Sequence, residues 1–181
     1  MVALVTAREA RGLDEDMPLL EAALHAVGAR SQIVDWDDGQ VDWGSFDIAL
    51  LRSTWDYTDR LKDFLVWVDT TARHTTMLNP PAVVRWNTDK HYLAELARAA
   101  VPVVPSTFIE PGESADRALH DFLARHGDTS EFVVKPSVGA GSRDAQRYNR
   151  RQIDAATQHS QRLLDDRRSV LLQPYRSEER V

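Results

Sequence analysis

The residues of this chain best suited to chemistry are a lysine and the run of small residues that follows it. The segment reads Glu131-Phe-Val-Val-Lys135-Pro-Ser-Val-Gly139-Ala-Gly141-Ser-Arg143-Asp144. Its apolar, β-branched start predicts a buried strand that ends at Pro136, because proline has no N–H to donate. Gly139 and Gly141 have no Cβ, so the loop after Lys135 can take positive φ and turn its N–H groups toward an anion. The pattern predicts a phosphate-binding loop with a lysine at the strand end.

The alternative for this stretch is an ordinary strand, a turn and a polar loop, with the Lys135 ammonium in solvent. The phosphate interpretation is favoured because Arg143 and Asp144 follow the glycines directly and a second lysine, Lys90, lies upstream. The other arginines in the last third of the chain are expected on solvated helix surfaces. They are Arg147, Arg150, Arg151, Arg162, Arg167 and Arg168.

Lys90 has a setting of its own, in the segment Trp86-Asn-Thr-Asp-Lys90-His-Tyr-Leu93. Thr88 or Asp89 is predicted to cap a helix over residues 89–100, which places Lys90 in the first turn of that helix. The helix macrodipole disfavours a cation there, so the position indicates a bound anion. An exposed lysine without a role is the alternative.

Composition and charge exclude several classes of protein. The chain has 181 residues, 43% hydrophobic content and a formal net charge of −6, which predicts a folded soluble protein without a nucleic-acid or membrane partner. The absence of cysteine excludes disulfides, thiolate metal sites and a cysteine nucleophile. No apolar run is long enough to span a membrane and no secretory signal is evident, so a cytoplasmic location is expected. The histidines have no metal-ligand spacing and are expected at surface or helix positions: His25, His74, His91, His120, His126 and His159.

The first third of the chain alternates strand and helix patterns, which indicates a parallel, doubly wound sheet. The predicted strands are 2–6, 31–35 and 47–52, and the predicted helices are 17–27 and 59–72. Ligands of such sheets collect outside the carboxyl ends of the strands, where Arg52, Trp55, Asp56 and Tyr57 lie. The acidic run at 35–42 is expected to be a solvated loop.

The sequence Met77-Leu-Asn-Pro-Pro81 predicts a strand end and a break. We therefore expect an amino-terminal α/β domain over residues 1–80, a second region over 81–175 and a charged tail over 176–181. The second region is predicted to contain helices over 89–100, 115–125 and 151–165, the Lys135 strand, a short strand at 107–110 and a last strand at 170–175. Residues 101–105 are expected to form an edge strand or an extended connection, because two prolines interrupt them.

Taken in order, six segments of the chain resemble the ATP-grasp superfamily. They are Leu50-Leu-Arg-Ser-Thr-Trp-Asp-Tyr57, Leu78-Asn-Pro80, Arg85-Trp-Asn-Thr-Asp-Lys-His-Tyr-Leu93, Val101-Pro-Val-Val-Pro105, Phe132 to Asp144 and Leu171-Leu-Gln-Pro-Tyr175. The ordered set, running over residues 2–175, carries the resemblance. Within the superfamily the sequence is similar to the O-ureido-serine cyclo-ligases of cycloserine biosynthesis and their uncharacterised relatives. The resemblance implies an α/β protein, in which an amino-terminal parallel-sheet (pre-ATP-grasp) domain precedes an incomplete ATP-grasp α+β region.

The resemblance implies ATP as the cofactor and gives each motif a role. Lys90 matches a lysine expected near the α-phosphate, and Lys135 matches one that reaches toward adenine and the α- and β-phosphates. The loop over 137–144 is implied to close over the phosphates through Ser137, Gly139, Gly141 and Ser142. The hinge segment, whose backbone reads the adenine edge, is matched by Gln173, Pro174 and Tyr175.

The implied reaction transfers the γ-phosphoryl group of ATP to a small carboxylate, and an amine or similar nucleophile then attacks the acyl phosphate. Such chemistry depends on positioning and cationic clamps more than on a covalent nucleophile. Arg143 is the candidate catalytic residue, because its guanidinium fork matches a phosphoryl group or a carboxylate. The candidates for substrate recognition are Arg52, Trp55, Asp56 and Tyr57. Packing at a domain contact is the alternative for the tryptophans of the first half and for Tyr57.

The sequence departs from the family pattern at its carboxyl end. The family binds Mg²⁺ through acidic residues and an asparagine beyond the hinge, whereas only the charged stretch Arg176–Val181 follows Tyr175. No metal ligand is therefore assigned in this chain, and Mg²⁺ ligands are expected from a missing segment. Three hypotheses follow: a truncated ligase, a ligase completed by a separate polypeptide, or a nucleotide- or partner-binding remnant without catalysis. A homodimer or a complementing chain is the expected assembly.

Overall fold

The structure, a computed structural model, describes residues 1–175. The chain divides into two compact units, Met1–Trp86 and the part from Asn87 onward. The expected α/β class is confirmed, with a parallel sheet in the first unit and an antiparallel sheet in the second. The predicted charged tail over 176–181 lies outside the described residues. Within the described part of the chain, no helix has both the length and the apolar character needed to cross a membrane.

The first unit is built on a four-stranded parallel sheet with the order β2-β1-β3-β4. Its strands are β1 (Val2–Thr6), β2 (Ser31–Asp35), β3 (Ile48–Ser53) and β4 (Thr76–Leu78). Helix α1 (Met17–Ala26) connects β1 to β2, and α2 (Leu61–Thr71) connects β3 to β4, because parallel neighbours need a crossover. The apolar strand β1 lies between two others, so Ala3, Leu4 and Val5 are fully buried.

Aromatic rings make up much of the core of the first unit. Trp36 meets Phe64 edge to face at 5.4 Å and Trp67 at 5.9 Å, and Trp43 lies 5.2 Å from Trp67, measured between ring centroids. Pairs at such distances stabilise a core by about 0.5–1.5 kcal/mol beyond the area that they bury. These three tryptophans are therefore packing residues, whereas Trp55 is 43% exposed.

The second unit is built on a four-stranded antiparallel sheet with the order β5-β8-β6-β7. Its elements are α4 (Tyr92–Arg98), β5 (Thr107–Ile109), α5 (Ala115–Arg125), β6 (Glu131–Pro136), β7 (Gln146–Asn149), α6 (Ile153–Asp165) and β8 (Val170–Pro174). Along β6 the side chains alternate, so Phe132 and Val134 are buried in a core with residues of α5 and α6. Val133 and Lys135 take the opposite face of the strand.

The position predicted for Lys90 is wrong. The helix expected from residue 89 begins only at Tyr92, and turns occupy residues 88–91. Asp89 stabilises this turn, because its carboxylate accepts a hydrogen bond of 3.2 Å from the backbone N–H of His91. Lys90 therefore precedes the helix, and the argument from the helix dipole does not apply to it.

Two further elements escape the sequence prediction. A helix, α3 (Pro81–Asn87), stands where a break is predicted, because proline at the first helical position needs no N–H partner. It carries the first unit to Trp86, beyond the boundary expected after residue 80. The strand β7 is short and mostly polar, so it has no hydrophobic pattern to reveal it. Among the strands of residues 1–175 it pairs with β6 alone. Residues 101–105 form an extended connection without strand pairing.

Candidate functional site

Two of the three lysines of the chain line one pocket of the second unit. The pocket has a volume of about 290 Å³ and lies beside the loop that joins β6 to β7. Six of the predicted site residues line it: Lys90, Lys135, Gly139, Gly141, Ser142 and Arg143. The structure therefore gathers both cations and the small-residue loop around one cavity.

Strand β6 positions Lys135 at the pocket. In the sheet register Lys135 lies opposite Leu171 of β8, and Val133, on the same face, lies opposite Gln173. Lys135 is partly buried, yet among residues 1–175 its ammonium has neither a hydrogen-bond acceptor nor a carboxylate partner. Burying part of an ammonium without acceptors is costly, so the position favours an anionic ligand.

The β6–β7 loop contains several residues with left-handed backbone conformations. Positive φ occurs at Gly141 (58°), Ser142 (59°) and Asp144 (55°), so the left-handed conformations lie two to five residues beyond Gly139. Gly139 itself does not have the positive φ expected for it. Its lack of a Cβ matters for a different reason, because a Cβ there would lie 3.0 Å from Cγ of Pro136 and 3.8 Å from Nζ of Lys90. The contact with Pro136 is tighter than normal packing, so a larger residue at position 139 would displace the loop or the proline ring.

Lys90 holds the first part of this loop. Its ammonium donates hydrogen bonds to the carbonyl oxygens of Gly139 at 2.9 Å and Ser137 at 3.2 Å. Its backbone N–H donates to the same Ser137 carbonyl at 3.0 Å, and the N–H of Ser137 donates to the carbonyl of Ser169 at 2.8 Å. Ser137 is buried and contributes its backbone to this network. Lys90 thus combines a structural role with a charge at the pocket wall.

The surroundings of both lysines disfavour their charged forms. Burial lowers the pKa of Lys135 below its ordinary value. Burial also lowers the pKa of Lys90, the nearby Lys135 charge lowers it further, and Asp89 partly offsets the shift. An anion bound between the two ammonium groups would favour both charged forms, because it replaces mutual repulsion with attraction.

An ion pair holds the far end of the loop. Arg168 donates to the Asp144 carboxylate at 2.6 Å, and Arg162 approaches it at 3.5 Å. The hydrogen bond from Arg168 is the main reason that the pKa of Asp144 lies below its ordinary value. The loop is therefore fastened at one end by Lys90 and at the other by Arg168. The exposed Arg143 side chain lies between these two attachments.

The predicted hinge residues lie on and after β8 and do not line the pocket. Gln173 is 9% exposed, and its amide donates to the Ser106 hydroxyl at 2.8 Å. Pro174 ends β8 opposite Phe132. The N–H of Tyr175 donates to the carbonyl of Glu131 at 2.8 Å, which extends the sheet by one hydrogen bond.

The four substrate candidates lie in the first unit. Arg52 forms a two-pronged ion pair with Asp14, at 2.9 Å and 3.2 Å, and Asp56 accepts a 2.8 Å hydrogen bond from the indole N–H of Trp36. The Tyr57 ring packs 5.5 Å from the Phe64 ring, between centroids. Three of the four candidates thus have structural contacts within their own unit.

One carboxylate in the first unit contradicts the sequence prediction. Asp35 was placed in a solvated acidic loop, but it is only 4% exposed and ends β2. Arg11 holds it at 2.7 Å, and Arg8 lies 3.8 Å away. The strand predicted over residues 31–35 was the available signal, because strands of a parallel sheet are covered on both faces.

The sequence also gave no role to a histidine next to Lys90. Both ring nitrogens of His91 lie within hydrogen-bond distance of carboxylates, those of Asp89 and Glu110. Spacing along the sequence could not reveal this contact, because Glu110 follows β5, which only the tertiary fold brings to His91. Among residues 1–175 no group of three or more histidine or acidic side chains is arranged to hold a metal ion.

Comparisons with known proteins point to one family. Residues 2–79 match the family model of the N-terminal domain of D-cycloserine synthetase DcsG. The chain is 42% identical over 175 residues to the cycloserine biosynthesis protein DcsG of Streptomyces lavendulae, covering 97% of this chain and 58% of that protein. The crystal structure of D-cycloserine synthetase DcsG is similar with a TM-score of 0.88 at 42% identity, over 96% of this chain and 59% of that one.

More distant structures share the fold. A RimK domain ATP-grasp protein of Sphaerobacter thermophilus is similar with a TM-score of 0.71 at 20% identity, over 99% of this chain and 66% of that one. D-alanyl-alanine synthetase A of Vibrio cholerae is similar with a TM-score of 0.66 at 10% identity, over 97% of this chain and 59% of that one. The chain spans about 58% of the length of the curated relative that it matches.

Proposed function

We propose that this chain, a homologue of D-cycloserine synthetase DcsG with structural neighbours among ATP-grasp proteins, is of the ATP-grasp type and that its second unit binds ATP through Lys90 and Lys135. The observation that carries the proposal is the partly buried Lys135 ammonium, which has no partner among residues 1–175 and faces the same pocket as Lys90. A polyphosphate supplies the acceptors and the negative charge that this arrangement lacks.

The residues present fit ATP in both charge and space. Lys90 and Lys135 would hold phosphate oxygens, and the backbone at Gly139 leaves room for a close approach because no Cβ occupies it. The N–H groups of loop residues 138–142 would add donors to the same oxygens. The backbone of Gln173, Pro174 and Tyr175 is proposed to read the adenine edge, from the strand next to β6.

We propose that the parent activity is an ATP-dependent ligase that joins a small carboxylate to an amine, or closes a ring within one molecule. Bound ATP supplies the γ-phosphoryl group that activates the carboxylate. The Arg143 guanidinium is proposed to hold an oxyanion of the phosphoryl group or the carboxylate, because its fork matches both. Arg52, Trp55, Asp56 and Tyr57 are proposed to recognise substrate. The other residues named act by position and charge, since the reaction needs no protein nucleophile.

Magnesium does not fit the described residues as well as ATP does. ATP-grasp ligases use Mg²⁺, but residues 1–175 contain no group of acidic side chains arranged around a common point. We propose that the Mg²⁺ ligands come from outside these residues, as the resemblance implies for the family segment beyond the hinge, or from a complementing polypeptide. A cytoplasmic location is proposed with it, because the reaction consumes ATP.

The alternative is a nucleotide-binding protein without turnover, which the lack of an acidic group in the described part favours. Calorimetric titration with a nonhydrolysable ATP analogue, with and without Mg²⁺, and an assay of ADP release separate the two. The ligase proposal expects Mg²⁺-dependent binding and carboxylate-dependent ADP release. Binding that ignores Mg²⁺, without any ADP release, would support the alternative, and absence of binding would refute both.

A further inference from the structure

His91, which directly follows the pocket residue Lys90, lies between two carboxylates. Its Nδ1 is 2.6 Å from Asp89 and its Nε2 is 2.9 Å from Glu110. The imidazole ring also stacks on Phe108 of β5, with 4.1 Å between centroids and 22° between planes. Three contacts thus fix the position and the plane of a side chain that is 39% exposed.

The geometry favours the charged form of the ring. Ionised carboxylates only accept hydrogen bonds, so two of them facing two ring nitrogens need two N–H donors. Neutral imidazole has one N–H donor and would turn a lone pair toward the other carboxylate, whereas imidazolium has two donors. Both hydrogen bonds are then charge-assisted, which makes them stronger than neutral ones.

One of these carboxylates, Glu110, connects His91 to the β6–β7 loop. Glu110 accepts a 2.5 Å hydrogen bond from the hydroxyl of Ser169. Ser169 accepts from the Ser137 N–H at 2.8 Å through its carbonyl, and the Ser137 carbonyl accepts from Lys90. His91 follows Lys90 directly in the chain. A closed ring of contacts therefore joins the histidine to both sides of the loop attachment.

We infer that His91 is a positioning residue, which as imidazolium holds the Lys90 segment to Glu110 and so sets Lys90 for the phosphates. This inference rests on the proposed ATP site, since its effect is exerted through Lys90. Its role is distinct from that of Lys135, which β6 positions without help from this network. The affinity for adenosine, which has no phosphate, should not depend on His91.

The charges around His91 make its contacts with Asp89 and Glu110 dependent on pH. Asp89 and Glu110 raise the pKa of His91 above its ordinary value, against the opposing effect of burial. Glu113 adds negative charge next to Glu110, because its carboxylate accepts a 2.6 Å hydrogen bond from the backbone N–H of Glu110. The Lys90 ammonium is a positive charge that interacts with the same Asp89. A raised pKa means that the stabilisation is complete below the ordinary histidine pKa and is lost as pH rises through the pKa of the folded state.

The test measures the affinity of the purified chain for a nonhydrolysable ATP analogue and for adenosine between about pH 6 and about pH 9, the range in which histidine titrates. The variants are His91→Gln, which cannot carry a charge, and Glu110→Gln, which removes one carboxylate. His120→Gln is the matched control, because that exposed histidine bonds only within α5. Melting curves of each variant verify that it is folded.

We expect His91→Gln to lower the affinity for the ATP analogue about fivefold near pH 6 and to leave adenosine binding unchanged. A loss of this size is expected for a charge-assisted hydrogen bond at a partly exposed position. The wild-type affinity should fall more with rising pH than that of the variant. Glu110→Gln should move this fall to lower pH, because the pKa of His91 drops. His120→Gln should match the wild type.

Three results would overturn the inference. The first is His91→Gln with the affinity and the pH profile of the wild type. The second is an equal loss of analogue and adenosine binding, which would indicate a general structural role. The third is absence of analogue binding by the wild-type chain, which would overturn the proposed ATP site as well. A Lys135→Ala variant separates the cases, because it should lose binding whenever the ATP site exists.

Discussion

Replacing Lys135 with alanine separates function from stability in this chain. Because the Lys135 ammonium has no partner within residues 1–175, its removal breaks no ion pair or hydrogen bond of the described structure. Burial already lowers the pKa of this lysine, which means that the fold holds the charged form at a cost. We therefore expect the unliganded variant to melt at the temperature of the wild type or above it.

The effect on ATP binding should be large. A charge-assisted hydrogen bond in a partly shielded pocket contributes about 1.5–3 kcal/mol, which corresponds to a loss of affinity between about 10-fold and about 150-fold. At an ATP concentration of about 100 times the wild-type Kd, binding stabilises the folded wild type by about 2.7 kcal/mol. The same ATP concentration stabilises the variant by only about 0.3–1.4 kcal/mol. The ATP-induced rise in melting temperature should therefore fall to about half or less.

The assay is a thermal melt of wild type and Lys135→Ala with and without ATP. Lys62→Ala is the matched control, since Lys62 is the remaining lysine of the chain and is exposed on α2. It should keep the full response to ATP. An unchanged ATP response in Lys135→Ala, or a loss of unliganded stability above about 1 kcal/mol, would refute the reasoning, because surface-like substitutions stay below that value.

Three further variants test the loop. Lys90→Ala should lower unliganded stability by about 1–3 kcal/mol and weaken ATP binding, because two partly buried carbonyl groups lose a charged donor. Chemical unfolding measures the stability, and calorimetry measures the binding. Gly139→Ala should lower the affinity for ATP about tenfold, as measured by calorimetry, because the alanine Cβ would lie 3.0 Å from Pro136 and displace the loop. Asp144→Asn should lower the free energy of unfolding by about 1 kcal/mol near neutral pH and reduce the loss of stability at acid pH. Arg168 lowers the pKa of Asp144, so this stability is present above about pH 4 and is lost as pH falls through the folded-state pKa, which unfolding curves at several pH values record.

Each of these predictions has a contrary outcome. Equal stability of Lys90→Ala and wild type would mean that the loop does not depend on the lysine contacts. Gly127→Ala is the control for the loop glycine, because a Cβ at Gly127 meets nothing within 4 Å, and a similar effect of both alanines would contradict the close-approach argument. A parallel acid-unfolding profile of Asp144→Asn and wild type would mean that the Arg168 pair adds no stability.

Much of the sheet architecture could be predicted because apolar strands and turn residues mark it locally. The strands at Val2–Thr6 and Ser31–Asp35 have the predicted bounds, and the Lys135 strand ends at Pro136. Their burial follows from composition, so the pattern along the sequence carries the information. The polar strand β7 has no such pattern, because its partner β6 decides its conformation.

The site was predictable in its residue types and not in its contacts. Lys90, Lys135 and the glycine loop lie together as the resemblance implied, but the helix-dipole argument for Lys90 fails because Asp89 forms a turn in its place. Ser142 has the positive φ that was expected at Gly139, and His91 contacts Glu110. Both features depend on tertiary packing. Spacing along a chain does not determine such contacts.

The central claim, that the Lys90 and Lys135 pocket holds the phosphates of ATP, is tested most directly by a lysine-reactive acyl phosphate of ATP. The reagent transfers its acyl group to a lysine beside the bound phosphates, and peptide mass spectrometry identifies the modified residue. Lys62 serves as the internal control, because it completes the set of three lysines in the chain. We predict labelling of Lys90 or Lys135 that unlabelled ATP suppresses, with Lys62 unaffected. Labelling that ATP does not suppress, or that falls on Lys62 as strongly as on the pocket lysines, would contradict the account.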